Sequence, residues 1–264
     1  MLKRLRANRL SLSFAMSYPL EPPRPVDVSG LQALAFYAPG TGPTPWDIRC
    51  ASACLANFFP LPSAMRIEHN GASGSFTNSE AAYQCFKWWQ DGATRALFEK
   101  TCAAPGFAGG EAAYQLKKRC EGDKRLAAVR KRDFDGLGKF DAMLLVLRHK
   151  WRLPHLREYL VATAGLFLVE HSPVVGRDPY WTDDCDGGGQ NRLGAALMLV
   201  RAELLAEDGA PSHGWPEGVP RPAWVAGAAV AAVAEDTDGW QRVVKSVAAQ
   251  LAARTADDGS VLPE

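Results

Sequence analysis

Apolar residues recur along this chain with two periods, and the places where the period changes mark its elements. A short apolar run over 31–37, stopped by Pro39 and Gly40, predicts a first strand. Residues 65–69 alternate apolar and polar, and a second short strand is predicted to end at Phe76. A helix is predicted from Ser79, with Ser79 as its N-cap and Ala81, Ala82, Tyr83, Phe86 and Trp89 as its apolar face. Further helices are predicted over about 92–103, 110–120 and 140–151, the last carrying Met143, Leu144 and Leu147. Pro154 suits the first turn of another, running to about Thr163, and 166–169 is strand-like. Residues 171–190 read as a polar loop ending in Gly187, Gly188 and Gly189. An amphipathic helix follows over 191–207, with Leu193, Leu197, Val200 and Leu204 on one side. Two Ala-rich helices, about 223–234 and 238–254, are predicted after a Pro/Gly-rich stretch.

Composition narrows the class. At 47% hydrophobic and 22% charged residues the chain is ordinary for a globular protein, so wholesale disorder is excluded. Its 264 residues allow one large domain or two small ones. The most apolar stretch, 224–234, is 11 residues long and too short to span a bilayer. Lys plus Arg (30) nearly equals Asp plus Glu (29), which removes the argument for a nucleic-acid-binding field over the whole surface. The charge is uneven, however: eight basic side chains fall within 117–132 against Glu121 and Asp123. That segment is either a solvated loop or a local aid to holding a polynucleotide. The six cysteines form no CxxC, and with the five His they complete no zinc spacing. They read as reduced thiols of a cytoplasmic protein. Lys3, Arg4, Arg6 and Arg9 ahead of an apolar stretch faintly resemble a transit peptide, but Ser11 and Ser13 break that stretch, so 1–30 is read as a disordered or extended arm.

Three constellations carry candidate chemistry. Glu80, Gln84, Lys87 and Asp91 fall at i, i+4, i+7 and i+11, within about 60° of one another on an ideal helix. Such a stripe is either a solvated face with ion pairs or the border of a pocket. The second spans 180–194, with Asp183, Asp184 and Asp186 ahead of three glycines and a helix start. It is neither a Walker loop nor an EF-hand, and it reads as a sugar-phosphate site or as an acidic flexible loop capped by Asn191. The third is Glu170 with His171 and Ser172, directly after a strand; no GxSxG elbow accompanies them.

Taken in order, these pieces resemble the NADAR (YbiA-like) family from about Phe36 to Leu205. Phe36-Tyr37 with Leu55-Ala56-Asn57-Phe58-Phe59-Pro60 is similar to the family's opening "FY … LSNFYP". The segment from Asn78 to Lys87 is similar to "NSEAAFQAxK", and Leu168-Val169-Glu170-His171-Ser172 to "LVExS". Tyr180-Trp181, Asp183 and Asn191-Arg192-Leu193-Gly194, then Leu197-Met198 and Arg201, match "YWG.G … GxNxLGxxLMxxR". Thr182 stands where the pattern has Gly, 39–54 and 61–76 look expanded, and Phe134 stands in for a missing Trp.

The resemblance implies an α-rich α+β domain, mostly helices with a few short strands, that cleaves N-glycosidic bonds of ribosyl groups. The implied substrates are ADP-ribose on guanine, favoured slightly here, and ribosylamino-pyrimidine phosphates of riboflavin synthesis. No metal or cofactor is required. Glu80 and Asp183 are expected to divide acid/base and electrostatic work, with Lys87 a candidate to form a Schiff base with the opened sugar. Trp181, Phe58 and Tyr83 are candidates for stacking on base or ribose. Asn57, Asn191, Gly188 and Gly189 are candidates for bonds to hydroxyls or phosphates, and Gln84, Glu170 and Arg192 for bordering the substrate. The catalytic domain is expected over 31–207, with 208–264 a linker and helical extension. Two other readings compete: an ADP-ribose-binding module without turnover, and an interaction protein using the C-terminal helices.

Overall fold

The computed structural model describes residues 20–210, 214–225 and 235–257. In chain order the elements are β1 (Val26–Val28), β2 (Leu31–Phe36), α1 (Pro45–Cys50), β3 (Met65–His69), β4 (Ala72–Phe76), α2 (Ser79–Cys85), α3 (Gly92–Thr101), α4 (Ala108–Gly122), α5 (Lys124–Val129), α6 (Lys139–Lys150), α7 (Pro154–Ala162), β5 (Phe167–Glu170), α8 (Arg192–Glu207) and α9 (Thr237–Asp257). Helices dominate, and the expected α-rich α+β class holds. Strand β1 falls inside the segment read as an extended arm, and α1 and α5 come from stretches with no clear period.

The strands place the site. β2 pairs antiparallel with β1 and parallel with β5, so that Ala33 lies opposite Phe167 and Phe36 opposite Glu170. Tyr37 and Glu170 therefore emerge together at the carboxyl ends of two parallel strands, the usual position for a ligand crevice in such a pair. The second sheet is the β3–β4 hairpin.

Helix α2 runs through the core, with every residue from Ser79 to Cys85 buried. Its N-cap is Asn78, not Ser79: Asn78 Oδ1 accepts from the Ala81 amide at 2.7 Å. After Cys85 the helix tightens to a 3₁₀ turn over Phe86–Trp88. This tightening breaks the expected stripe. Asp91 turns away from Glu80, Gln84 and Lys87 and caps α3, accepting from the amides of Ala93 and Thr94.

Helix α8 is buried along almost its whole length and packs on β5, α6 and α7. Helix α9 presents Trp240, Val244, Val247, Ala248 and Leu251 to the core, an i, i+4, i+7, i+8, i+11 stripe. The helix expected over about 223–234 lies mostly outside the described residues; 222–225 form a turn in which Val225 N donates to Pro222 O at 2.9 Å.

Gly110 sets the approach of α4 to the turn after α1. A Cβ there would sit 2.6–2.7 Å from the Cα, Cβ and Cγ of Phe58. Gly110→Ala should thus cost about 2 kcal/mol net, because backbone overpacking of about 3 kcal/mol exceeds a helix-propensity gain of about 1 kcal/mol. The urea midpoint of the variant measures this.

Candidate active site

A cavity of about 410 Å³ opens beside α2 at the carboxyl ends of β2 and β5. Its lining includes Glu80, Tyr83, Gln84 and Lys87 from α2 and the following turn. The three polar side chains form a relay. Gln84 Nε2 donates to Glu80 Oε1 at 2.8 Å, and Lys87 Nζ donates to Gln84 Oε1. Gln84 thus stands between acid and base. All three are under 8% exposed, so their charges are poorly solvated. Burial pushes the Glu80 carboxyl up to about 7, against the Gln84 hydrogen bond and the nearby Lys87. Burial, reinforced by Lys117, brings the Lys87 ammonium down to about 8, against the pull of Glu80. The Lys87 ammonium lies 5.4 Å from the Phe134 ring and 5.8 Å from the Tyr83 ring, and those two rings stack at 5.1 Å. The Phe in place of the expected Trp is therefore part of the wall behind the lysine.

A second group faces the relay from the strand ends. Glu170 lines the cavity, and its Oε2 is buried with no hydrogen-bond partner among the described residues. Burial, with Asp178 and Glu80 adding repulsion, holds its carboxyl well above the ordinary range. Asn57 Oδ1 likewise has no partner among the described residues, while its Nδ2 contacts Met143 Sδ at 3.5 Å. The Asn57 turn is held from two sides. Its carbonyl accepts from Glu80 N at 3.1 Å, and the buried Lys150 donates to Ala56 O at 2.9 Å. Buried polar atoms without partners are uncommon, and both of these belong to residues that line the cavity.

Aromatic and charged groups complete the walls. Tyr37, Phe58, Tyr114 and Trp181 offer ring surface, and Lys117, Lys139 and Arg177 bring positive charge from three separate elements. Burial and Glu170 push the Tyr37 phenol up to about 12, so it stays a neutral donor.

The cavity thus gathers Asn57, Phe58, Glu80, Tyr83, Gln84, Lys87, Glu170 and Trp181 from the residues singled out in the sequence. Asp183 does not line the cavity. Its side chain is fully buried away from the cavity; Oδ1 accepts from Ser172 N and Cys185 N, and Oδ2 meets His171 Nδ1 at 2.6 Å. With both oxygens committed it holds two loops together. The carboxylate that reaches the cavity from this loop is Asp178.

Asn191, Arg192, Gly188 and Gly189 also lie away from the cavity lining. Asn191 accepts from Glu170 N at 3.0 Å and donates to Leu168 O at 2.9 Å, clamping β5 to the start of α8. Arg192 lies between the rings of Tyr180 and Trp224, at 4.4 and 4.2 Å. Gly189 is small because a Cβ would sit 2.3 Å from Thr182 O, and Gly188 N is taken by Asp186 Oδ1 at 2.7 Å. None of these four lines the cavity. Tyr37, Tyr114, Lys139, Arg177 and Asp178 were missed as site residues. Only Tyr37, part of the first motif, carried a signal that pointed here.

No model of a known family matches the chain. Similarity to curated proteins is local. N-glycosidase YbiA of Escherichia coli (strain K12) is 43% identical over 70 residues, 26% of this chain and 42% of that protein. The chloroplastic riboflavin biosynthesis protein PYRR of Zea mays is 35% identical over 99 residues, 34% of this chain and 15% of that protein. The chain thus spans less than half the length of these relatives. An NMR structure of E. coli YbiA aligns over 67% of this chain and 86% of its own, at 25% identity and a TM-score of 0.45. Over that local stretch the chain is thus similar to proteins named N-glycosidase YbiA and riboflavin biosynthesis protein PYRR.

Proposed function

We propose that this protein hydrolyses the N-glycosidic bond of a ribosyl group. The observation that carries the reading is the buried Glu80–Gln84–Lys87 relay in the cavity wall. Cleaving C1–N requires a proton for the departing nitrogen and stabilisation of the cationic sugar carbon. Glu80, at about 7, is matched to giving and retaking a proton near neutrality. The nitrogen lone pair opens the ribose ring to an iminium as C1–O4 breaks and O4 takes a proton from Glu80; Lys87, at about 8 and partly neutral there, then adds its amine to C1 and returns a proton to Glu80. The glycosidic nitrogen then leaves with the proton from Glu80. Nζ keeps the sugar as an imine, and water releases it. Asp178 brings a further carboxylate into the cavity, which would stabilise the developing positive charge.

For the substrate, the names of the riboflavin biosynthesis relatives favour a ribosylamino-pyrimidine phosphate over ADP-ribose on guanine. Lys117, Lys139 and Arg177 would take its phosphate, and the ring surfaces of Tyr37, Phe58 and Tyr114 its flat base. Hydrolysis of both substrates side by side tests this. Release of pyrimidine at a rate at least about tenfold above release of ADP-ribose is expected. The reverse ratio would install the guanine substrate, and binding of ADP-ribose with no turnover of either would install the non-catalytic module. Borohydride added during turnover should trap the sugar on Lys87, seen as a mass increment on the peptide containing it. Full activity in Lys87→Ala would remove the covalent step.

A further inference from the structure

Helix α9 lies outside the stretch that resembles the family, and its N-terminal turn is docked on the glycine segment that precedes α8. Gln241 Nε2 donates to Gly187 O at 2.8 Å and to Gly189 O at 2.7 Å. Trp240 Nε1 donates to Gln190 O at 3.0 Å. The approach is close enough that a Cβ on Gly187, whose φ is +80°, would sit 2.4 Å from Lys245 Cα. The glycines are therefore there to admit a helix.

The docked segment is in turn laced to the loop that forms one wall of the cavity. Gly189 N donates to Asp183 O, Gln190 N to Pro179 O and Asn191 N to Thr182 O, at 2.8–2.9 Å. Leu193 N donates to Trp181 O at 3.1 Å. Asp178, Trp181 and Thr182 are the cavity residues of that loop. An unbroken path of hydrogen bonds thus runs from α9 through 187–193 to the wall. Trp240 roots it in the core against Phe167, Trp215 and Trp224, with ring centroids 5.4–6.2 Å apart.

We infer that α9 positions the Asp178–Thr182 wall of the cavity, with Gln241 as the positioning residue that ties the two together. Gln241 touches no cavity atom; it acts only through the carbonyls it holds. Gln241→Met keeps the length of the side chain and removes both donors. In the full chain, amide exchange over 178–191 should accelerate about tenfold or more, the change that two lost hydrogen bonds of ordinary strength imply. Exchange in α8 and β2 should stay as in the wild type. No acceleration over 178–191, acceleration confined to α9, or a uniform increase across the chain would each overturn the inference.

A second readout rests on the proposed activity. Gln241→Met should raise KM about tenfold and leave kcat within about threefold, because Trp181 and Asp178 contact the substrate while Glu80 and Lys87 stay in place. An unchanged KM overturns the inference. Since exchange needs no substrate, a wild type with no hydrolytic activity would sink the proposed function and leave this test intact.

Discussion

Glu80→Gln should lower kcat by about 100- to 10,000-fold, the range expected when a positioned general acid is removed. Gln preserves the size of the side chain and an oxygen that can accept from Gln84 Nε2, so the relay keeps its shape and KM should move little. The fold should gain. Burial raises the Glu80 carboxyl from 4.5 to about 7, so its contribution to stability is present below about 4.5 and is lost as the pH rises through 7. At pH 8 the wild type carries a buried charge that the variant does not. Glu80→Gln should therefore melt higher than the wild type at pH 8 and lose that advantage at pH 4. A fall in activity accompanied by a rise in melting temperature is what a functional residue held at a cost to stability produces. A fall in both would mean that Glu80 is structural.

The pH dependence of kcat/KM follows from the same pair. Activity requires one proton shared between Glu80 and Lys87, so the profile should be a bell with limbs near 7 and 8. These are properties of the pair, and removing one member should remove a limb. Glu80→Gln should leave a residual profile without the limb near 7.

The relay was legible because Glu80, Gln84 and Lys87 sit where helical spacing brings side chains onto one face, and the 3₁₀ turn after Cys85 leaves Lys87 on that face. Asp91 was misplaced for the same reason: an ideal helical period does not anticipate the tightening. The acidic and glycine-rich segment misled more. Glycines before a helix are what a phosphate loop needs, but they are also what a close backbone contact needs, and the two leave the same letters. Only the distance from Gly187 to Lys245 separates them. Asp178 and Tyr114 were invisible for a different reason. One lies in an aperiodic loop, and the other reaches the cavity only because α4 docks on α2. The fold class was legible because few strands are needed to see it, whereas the register that brings Tyr37 beside Glu170 is a long-range fact.

Arg201→Met should cost about 3–5 kcal/mol, the largest stability loss expected of a single change here. Arg201 is fully buried in the middle of α8. Its guanidinium donates to Gly214 O at 2.9 Å, Thr163 O at 2.5 Å, Thr163 Oγ1 at 3.0 Å and Leu166 O at 2.9 Å. A planar fork with five donors can serve acceptors on several sides at once, and a Lys ammonium cannot, so Arg201→Lys should recover less than half of the loss. Met leaves these acceptors buried without donors. Against a total stability of about 5–15 kcal/mol, the urea midpoint of Arg201→Met should fall by about a fifth or more. The consequence reaches the cavity. Thr163 and Leu166 bracket the turn that leads from α7 into β5, and β5 ends at Glu170. Freed carbonyls in that turn loosen the strand that sets the second carboxylate against the relay. Exchange at β5 amides should therefore rise in Arg201→Met under conditions where the α4 amides remain protected. A stability loss below about 1 kcal/mol, or a loss of protection spread evenly over both, would show that Arg201 fills space and does not hold the strand.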